Sequence, residues 1–221
     1  GILNGDAGDD RFTVNTGGSV TNIDGGTNVT TIGDTLTLPA NADISIGSGL
    51  GVGVTNIEGV VSTNGRLRAR DGFNTTWDIS GTDIGIAVDN GGQSLSFNGF
   101  SFLYGSDGND IFNITGNGSL SGQIIAGDGN NSLNVDLSPG RLSGQVYYVG
   151  GIGTDTVAMT GTSNTVVYSS AISVIIDNIG NTFDRLAYTG SNAITNTFSA
   201  HYTAANVETV TDRVVPNPLK V

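Results

Sequence analysis

Hydrophobic and polar positions alternate along this chain in short runs. "TLTLPANADISIGSGLGVGV", from Thr35, sets small or apolar residues against polar ones, and "VVYSSAISVIID", from Val166, does the same. Successive side chains of a strand point to opposite faces, so period two predicts strands with one buried face. Runs of about four to six residues end where Gly, Asn, Asp and Ser gather, and these residues turn a chain. No stretch carries the period of an amphipathic helix. Pro39 sits at the end of a run, where its missing N–H does little harm.

Laid on itself, the chain repeats. Four segments align without gaps: "LNGDAGDDRFTV" from Leu3, "LYGSDGNDIFNI" from Leu103, "IIAGDGNNSLNV" from Ile124 and "YVGGIGTDTVAM" from Tyr148. Each has a glycine (Gly8, Gly108, Gly129, Gly153) two residues before an Asp or Asn (Asp10, Asp110, Asn131, Asp155). An apolar–x–apolar run follows. A broken copy from Ile23 brings Asp34 to the same place. The last three copies start 21 and 24 residues apart, the length of one coil of a stacked parallel fold. The repeat predicts an all-β chain, a right-handed parallel β-helix or β-solenoid of about ten coils at ~22 residues each. It would occupy residues 1–210, with the clearest units in 77–159 and with Phe12 and Phe112 stacked inward. The tail 211–221, with two prolines and a lysine, reads as a cap or linker.

Composition fits that expectation. Glycine supplies 35 of 221 residues, well above the usual share of roughly 7 %. Tight turns need the positive φ that glycine takes freely and that Asn and Asp tolerate. Charged residues are only 13 %, and the helix-favouring long ones are scarce. With 20 acidic residues against 8 basic ones the net charge is −12. Nucleic acid is therefore a poor partner, since phosphate binding needs Lys and Arg. No apolar run reaches the ~20 residues of a membrane span. The opening "GILNGDAGDD" has no basic-then-apolar leader and starts inside the repeat, so the chain reads as a piece of something longer.

The turns resemble the haemolysin-type (RTX) nonapeptide, Gly-Gly-x-Gly-x-Asp-x-apolar-x. "GGIGTDTVA", 150–158, matches throughout; "GSDGNDIFN" and "GDAGDDRFT" each lack the second glycine; "AGDGNNSLN" departs at the first glycine and at the Asp. In that family the turns hold calcium, and the resemblance makes Asp10, Asp110 and Asp155 the matching ligands. Here the motif comes once per coil instead of in tandem. The longer unit 77–114, opening "WDISG", is similar to repeats of very large bacterial adhesins of the filamentous-haemagglutinin and RTX-like kind. That likeness implies a secreted or cell-surface bacterial protein. Its partners would be a host or neighbouring-cell surface, a glycan, or other domains of the same protein.

Residue chemistry adds three candidates. A hard cation takes six to eight oxygens. Asp107 and Asp110, stacked on Asp128 and Asn131, could supply some of them, which makes Ca2+ the one cofactor the sequence suggests; alternatively these residues form turns and a hydrogen-bonded ladder. Trp77, Tyr104, Tyr147, Tyr148 and Tyr202 are aromatic candidates for a glycan surface, with Trp77 equally suited to the core. Arg66, Arg68 and Arg70 in "RLRAR" share one strand face and could meet an anionic glycan or a neighbouring domain, or could simply be a solvated face. For catalysis the chain has one histidine, His201, and carboxylate pairs such as Asp83 with Asp89 and Asp9 with Asp10, without a defined spacing. No nucleophile elbow, zinc helix or phosphate loop is present. The sequence thus predicts a non-catalytic structural or adhesive segment, the alternative being a β-helical polysaccharide lyase or hydrolase, or a glycan-binding module.

Overall fold

A computed structural model of the chain describes residues 2–19, 21–31, 33–46, 54–115, 117–136, 146–153 and 155–161, together with four further strands. These residues form strands and turns and no helix. The first seven strands are β1 (Ile2–Asn4), β2 (Arg11–Thr13), β3 (Asn22–Asp24), β4 (Thr35–Thr37), β5 (Asp43–Ser45), β6 (Val54–Thr55) and β7 (Gly59–Arg68). Next come β8 (Thr75–Gly81), β9 (Ile84–Asp89), β10 (Ser94–Tyr104), β11 (Ile111–Ile114), β12 (Gln123–Ile125) and β13 (Ser132–Asp136). The remainder are β14 (Val146–Val149), β15 (Thr156–Gly161), β16 (Ser173–Asp177), β17 (Arg185–Gly190), β18 (His201–Ala205) and β19 (Thr209–Asp212).

The regular ten-coil parallel β-helix expected from the repeat does not form. The strands make a 16-stranded mixed sheet and a separate three-stranded parallel sheet, β1–β3–β6. Within the large sheet β9 runs antiparallel to both β8 and β10. The cause is turn chemistry that the repeat frame conceals. Thr82 and Asp83, with Asp83 at φ 58°, close a two-residue loop between the paired Gly81 and Ile84. In "DNGGQ", 89–93, Asp89 Oδ1 accepts the N–H groups of Gly91 and Gln93 at 2.8 and 2.9 Å. Both are hairpin signals, and a hairpin reverses the chain where a coil would carry it onward.

Elsewhere neighbours run parallel and keep the repeat spacing. Phe112 pairs with Leu133, and Leu133 with Val157; Leu103 pairs with Ile124, and Ile124 with Tyr148. Because parallel strands stack identical positions, inward residues form columns. Trp77, directly beside Phe112 in register, stacks on it at 5.7 Å between ring centroids. Phe97 meets Trp77 edge-on at 6.2 Å, and Tyr148 meets Phe112 at 6.3 Å. Such pairs add about 0.5–1.5 kcal/mol beyond the area they bury. Phe112 is fully buried as expected, whereas Phe12 is only half-buried. The stretch 211–221 begins inside β19, and its residues after Asp212 lie outside the described ones.

Candidate functional site

The aligned Asp/Asn positions come together in two columns. Each occupies the residue just before a parallel strand, where the turn ends and the ladder resumes. In the first, the Asp10 N–H donates to Asp34 Oδ1 at 2.5 Å, and the Asp34 N–H to Glu58 Oε2 at 2.8 Å. In the second, Thr75 N–H donates to Asp110 Oδ1 at 2.6 Å, Asp110 N–H to Asn131 Oδ1 at 2.8 Å, and Asn131 N–H to Asp155 Oδ1 at 2.8 Å. Return bonds close these rungs. Thr35 N–H reaches Asp10 O at 2.9 Å, Ser132 N–H reaches Asp110 O at 2.8 Å, and Thr156 N–H reaches Asn131 O at 2.8 Å. Asp34, Asp110, Asn131 and Asp155 are buried, and in the second column the donors Thr75, Asp110 and Asn131 are buried too, so each of those N–H groups is satisfied within the chain.

Asp110 and Asn131 differ at the second polar atom. Asp110 Oδ2 accepts the Ser106 N–H at 2.7 Å, four residues back in its own turn. Asn131 Nδ2 instead donates to Gly127 O at 3.0 Å and Asp128 O at 3.2 Å. Gly127 holds φ at 81°, which lets the turn present carbonyls in place of an N–H. Burial pushes the Asp110 carboxyl above its ordinary range and the charge of Asp107 adds to this, against the N–H groups of Ser106 and Thr75 that favour its ionised form. In the first column Asp10 Oδ2 and Asp34 Oδ2 have no hydrogen-bond partner.

Parallel columns flank these. Asn109 N–H donates to Asn74 Oδ1 and Asn130 N–H to Asn109 Oδ1, at 2.9 and 2.8 Å. On the strands, Asn134 donates to Asn113 and Asn113 to Asp78, both at 2.8 Å. On the surface Asp9 accepts the N–H groups of Val29 and Thr30, and the Thr30 hydroxyl holds its carboxyl below the usual value.

The residues expected to hold calcium do not converge. Both Asp110 oxygens face N–H donors. Asp107 Oδ1 takes Gly72 N–H from one side of the stack at 2.6 Å, while Asp128 Oδ1 takes Ile152 N–H from the other at 3.0 Å. These two carboxylates therefore reach away from each other. Asp155 reaches back to Asn131, and Asp10 belongs to the other column. Among the described residues no three acidic or histidine side chains gather as a cation would need. In the second column N–H groups are aimed at Asp110 and Asp155, which fits a ladder and does not fit a calcium shell.

The basic strip is held by its own neighbours. Arg68 binds Asp43 through two nitrogens at 2.7 and 2.8 Å and lies 4.1 Å over the Tyr104 ring, so Asp43 is held below, and Arg68 above, its ordinary value by that pair. Arg70 covers Phe73 at 3.4 Å and pairs with buried Asp89 at 3.0 Å. Arg66 lies 5.2 Å over Phe102. Trp77 and Tyr148 are buried, and Tyr104 is half-buried beneath Arg68. The side chains of Tyr147, Tyr202 and His201 lie outside the described residues.

The carboxylate pairs separate as well. Asp83 accepts Ser121 N–H and hydroxyl, while Asp89 belongs to the hairpin turn and Arg70. A cavity of about 320 Å3 opens between Leu36, Ile44, Val54 and Leu95; its polar lining is Ser45, Thr55, Asn56, Gln93 and Ser94, without a titratable side chain. Glu58 is a rung that the repeat alignment misses altogether; its signal is an acid one residue before a strand. No protein-family profile matches this chain, and neither a curated protein nor a solved structure matches it.

Proposed function

We propose that the chain is a non-catalytic structural segment, a stiff spacer or display element of a larger secreted or surface protein. The observation that carries this is the pair of turn columns. They continue the hydrogen-bond ladder through corners that would otherwise be its weakest points. Local opening begins where backbone bonds are few and exposed. Here the corners at Asp34, Asp110, Asn131 and Asp155 are as buried as the strands they join. The chemistry agrees, because Asp83, Asp110 and Asp128 accept N–H groups, Asp89 pairs with Arg70, and the cavity named above holds no acid or base.

Amide exchange tests the reading. The N–H groups of Thr75, Asp110 and Asn131 should exchange as slowly as those in the centre of β11 and β13. Exchange at the rate of open loops would leave the corners without a stiffening role. Incubation with acidic polysaccharides, followed for reducing ends or unsaturated products, tests the catalytic alternative; a product formed at a constant rate per protein would overturn the non-catalytic reading.

A further inference from the structure

We propose that the Asn131 amide takes the place of a cation in its turn, so that the second column locks without metal. The inference is independent of what the stack carries. Two carbonyl oxygens, Gly127 O and Asp128 O, converge on one point beside the Asn131 side chain, at 3.0 and 3.2 Å from Nδ2. Converging carbonyls next to an acid position are what a hard cation uses. Here the NH2 group supplies two donors to them. The same side chain keeps its oxygen on the Asp110 N–H, so one amide closes the turn and the rung together.

The neighbouring turn solves the same problem the other way. With a carboxylate at 110, residue 106 is a serine that presents its N–H; with an amide at 131, residue 127 is a glycine at φ 81° and carbonyls face the side chain. Residue identity at these paired positions is therefore matched: Asp with an N–H, Asn with carbonyls. In each combination both polar atoms of the side chain find partners within the chain, two N–H groups for Asp110 and an N–H with two carbonyls for Asn131.

Thermal unfolding of the whole chain in EDTA, in calcium and in equal magnesium tests this. The wild type should melt at one temperature in all three. A calcium-specific rise would overturn the proposal. Asn131→Asp replaces two donors with a carboxylate facing two carbonyls. It should melt several degrees lower in EDTA and regain most of the loss in calcium. Stability equal to wild type in EDTA, or a loss that calcium leaves untouched, would overturn the equivalence of amide and cation. If Asn131→Asp does not fold in either buffer, Asp110→Asn decides. Alone it should lower the melting temperature, and Ser106→Gly added to it should restore part of that loss. Absence of any recovery would show that the paired positions are not matched.

Discussion

Asp110 concentrates the chemistry of the fold in one side chain. It is fully buried, accepts two N–H groups, and has its carboxyl pushed upward by burial. The folded chain thus holds this proton more tightly than the unfolded chain does. The sign follows from linkage: where the folded state binds more protons, stability falls as pH rises. Asp110 should therefore make the protein lose stability as pH climbs through the interval just above 3.8, the ordinary carboxylate value. Asp43 works oppositely: its pairing with Arg68 is present above 3.8 and is lost as pH falls through its lowered folded value. That pair is exposed and contributes little. Urea midpoints measured across this interval for wild type and Asp110→Ser should show the Asp110 slope in the first and its absence in the second. An identical slope in both would assign it elsewhere.

At the scale of elements, the corner works only because particular glycines leave room. A methyl group on Gly105 would overlap Ala126 O and press on Asp110 Oδ2, which the Ser106 N–H holds in place. Gly72 sits at φ 78° with nothing within 4 Å of a methyl group. Gly105→Ala should thus destabilise by overpacking, by about 1–3 kcal/mol or more. Gly72→Ala should show only left-handed strain, about 1–2 kcal/mol. Chemical denaturation of the two variants ranks them, and equal losses would mean that the next turn gives way easily.

Much at this scale was legible beforehand. The alternation marked strands, and the Gly-x-Asp frame picked out Asp10, Asp110, Asn131 and Asp155 as one structural position. Two things were hidden. The β8–β9–β10 meander uses the same Gly, Asn and Asp vocabulary as the repeat corners, so composition does not separate a hairpin from a coil. The partners of each carboxylate were hidden too, because an acid beside a glycine turn reads equally as cation ligand or as N–H acceptor. Only position across the stack decides between them. An acidic residue just before a strand marks Asp34 and Glu58, although Asp83, just before β9, lies in a hairpin loop instead.

For the whole molecule, the antiparallel insertion matters most at the surface. Asp110 reaches 35 residues back to Thr75, where the other rungs span 21 or 24. The excess is the hairpin, and its strand β9 shows Ile84, Ile86 and Val88 at 41, 46 and 40 % exposure. A contiguous apolar stripe on a sheet face promotes association. Net charge of −12 opposes it. Raising salt should therefore increase self-association, and Ile86→Lys should suppress that increase with little change in melting temperature. Light scattering against salt for both proteins measures it; a variant that associates as readily as wild type would clear the stripe.

The rungs also share one direction. Asp34 reaches back to Asp10, Glu58 to Asp34, Asp110 to Thr75, Asn131 to Asp110 and Asp155 to Asn131. In every case the earlier corner offers a neutral N–H and the later one brings the acceptor. Along these columns, a chain growing from its N-terminus would show the next corner a ready donor, and each arriving side-chain oxygen would find its partner already placed. Growth from the other end would leave buried carboxylates waiting without donors, a far worse intermediate. This arrow belongs to these two columns alone, since in the flanking column Asn109 and Asn130 donate their N–H groups back to the earlier turn.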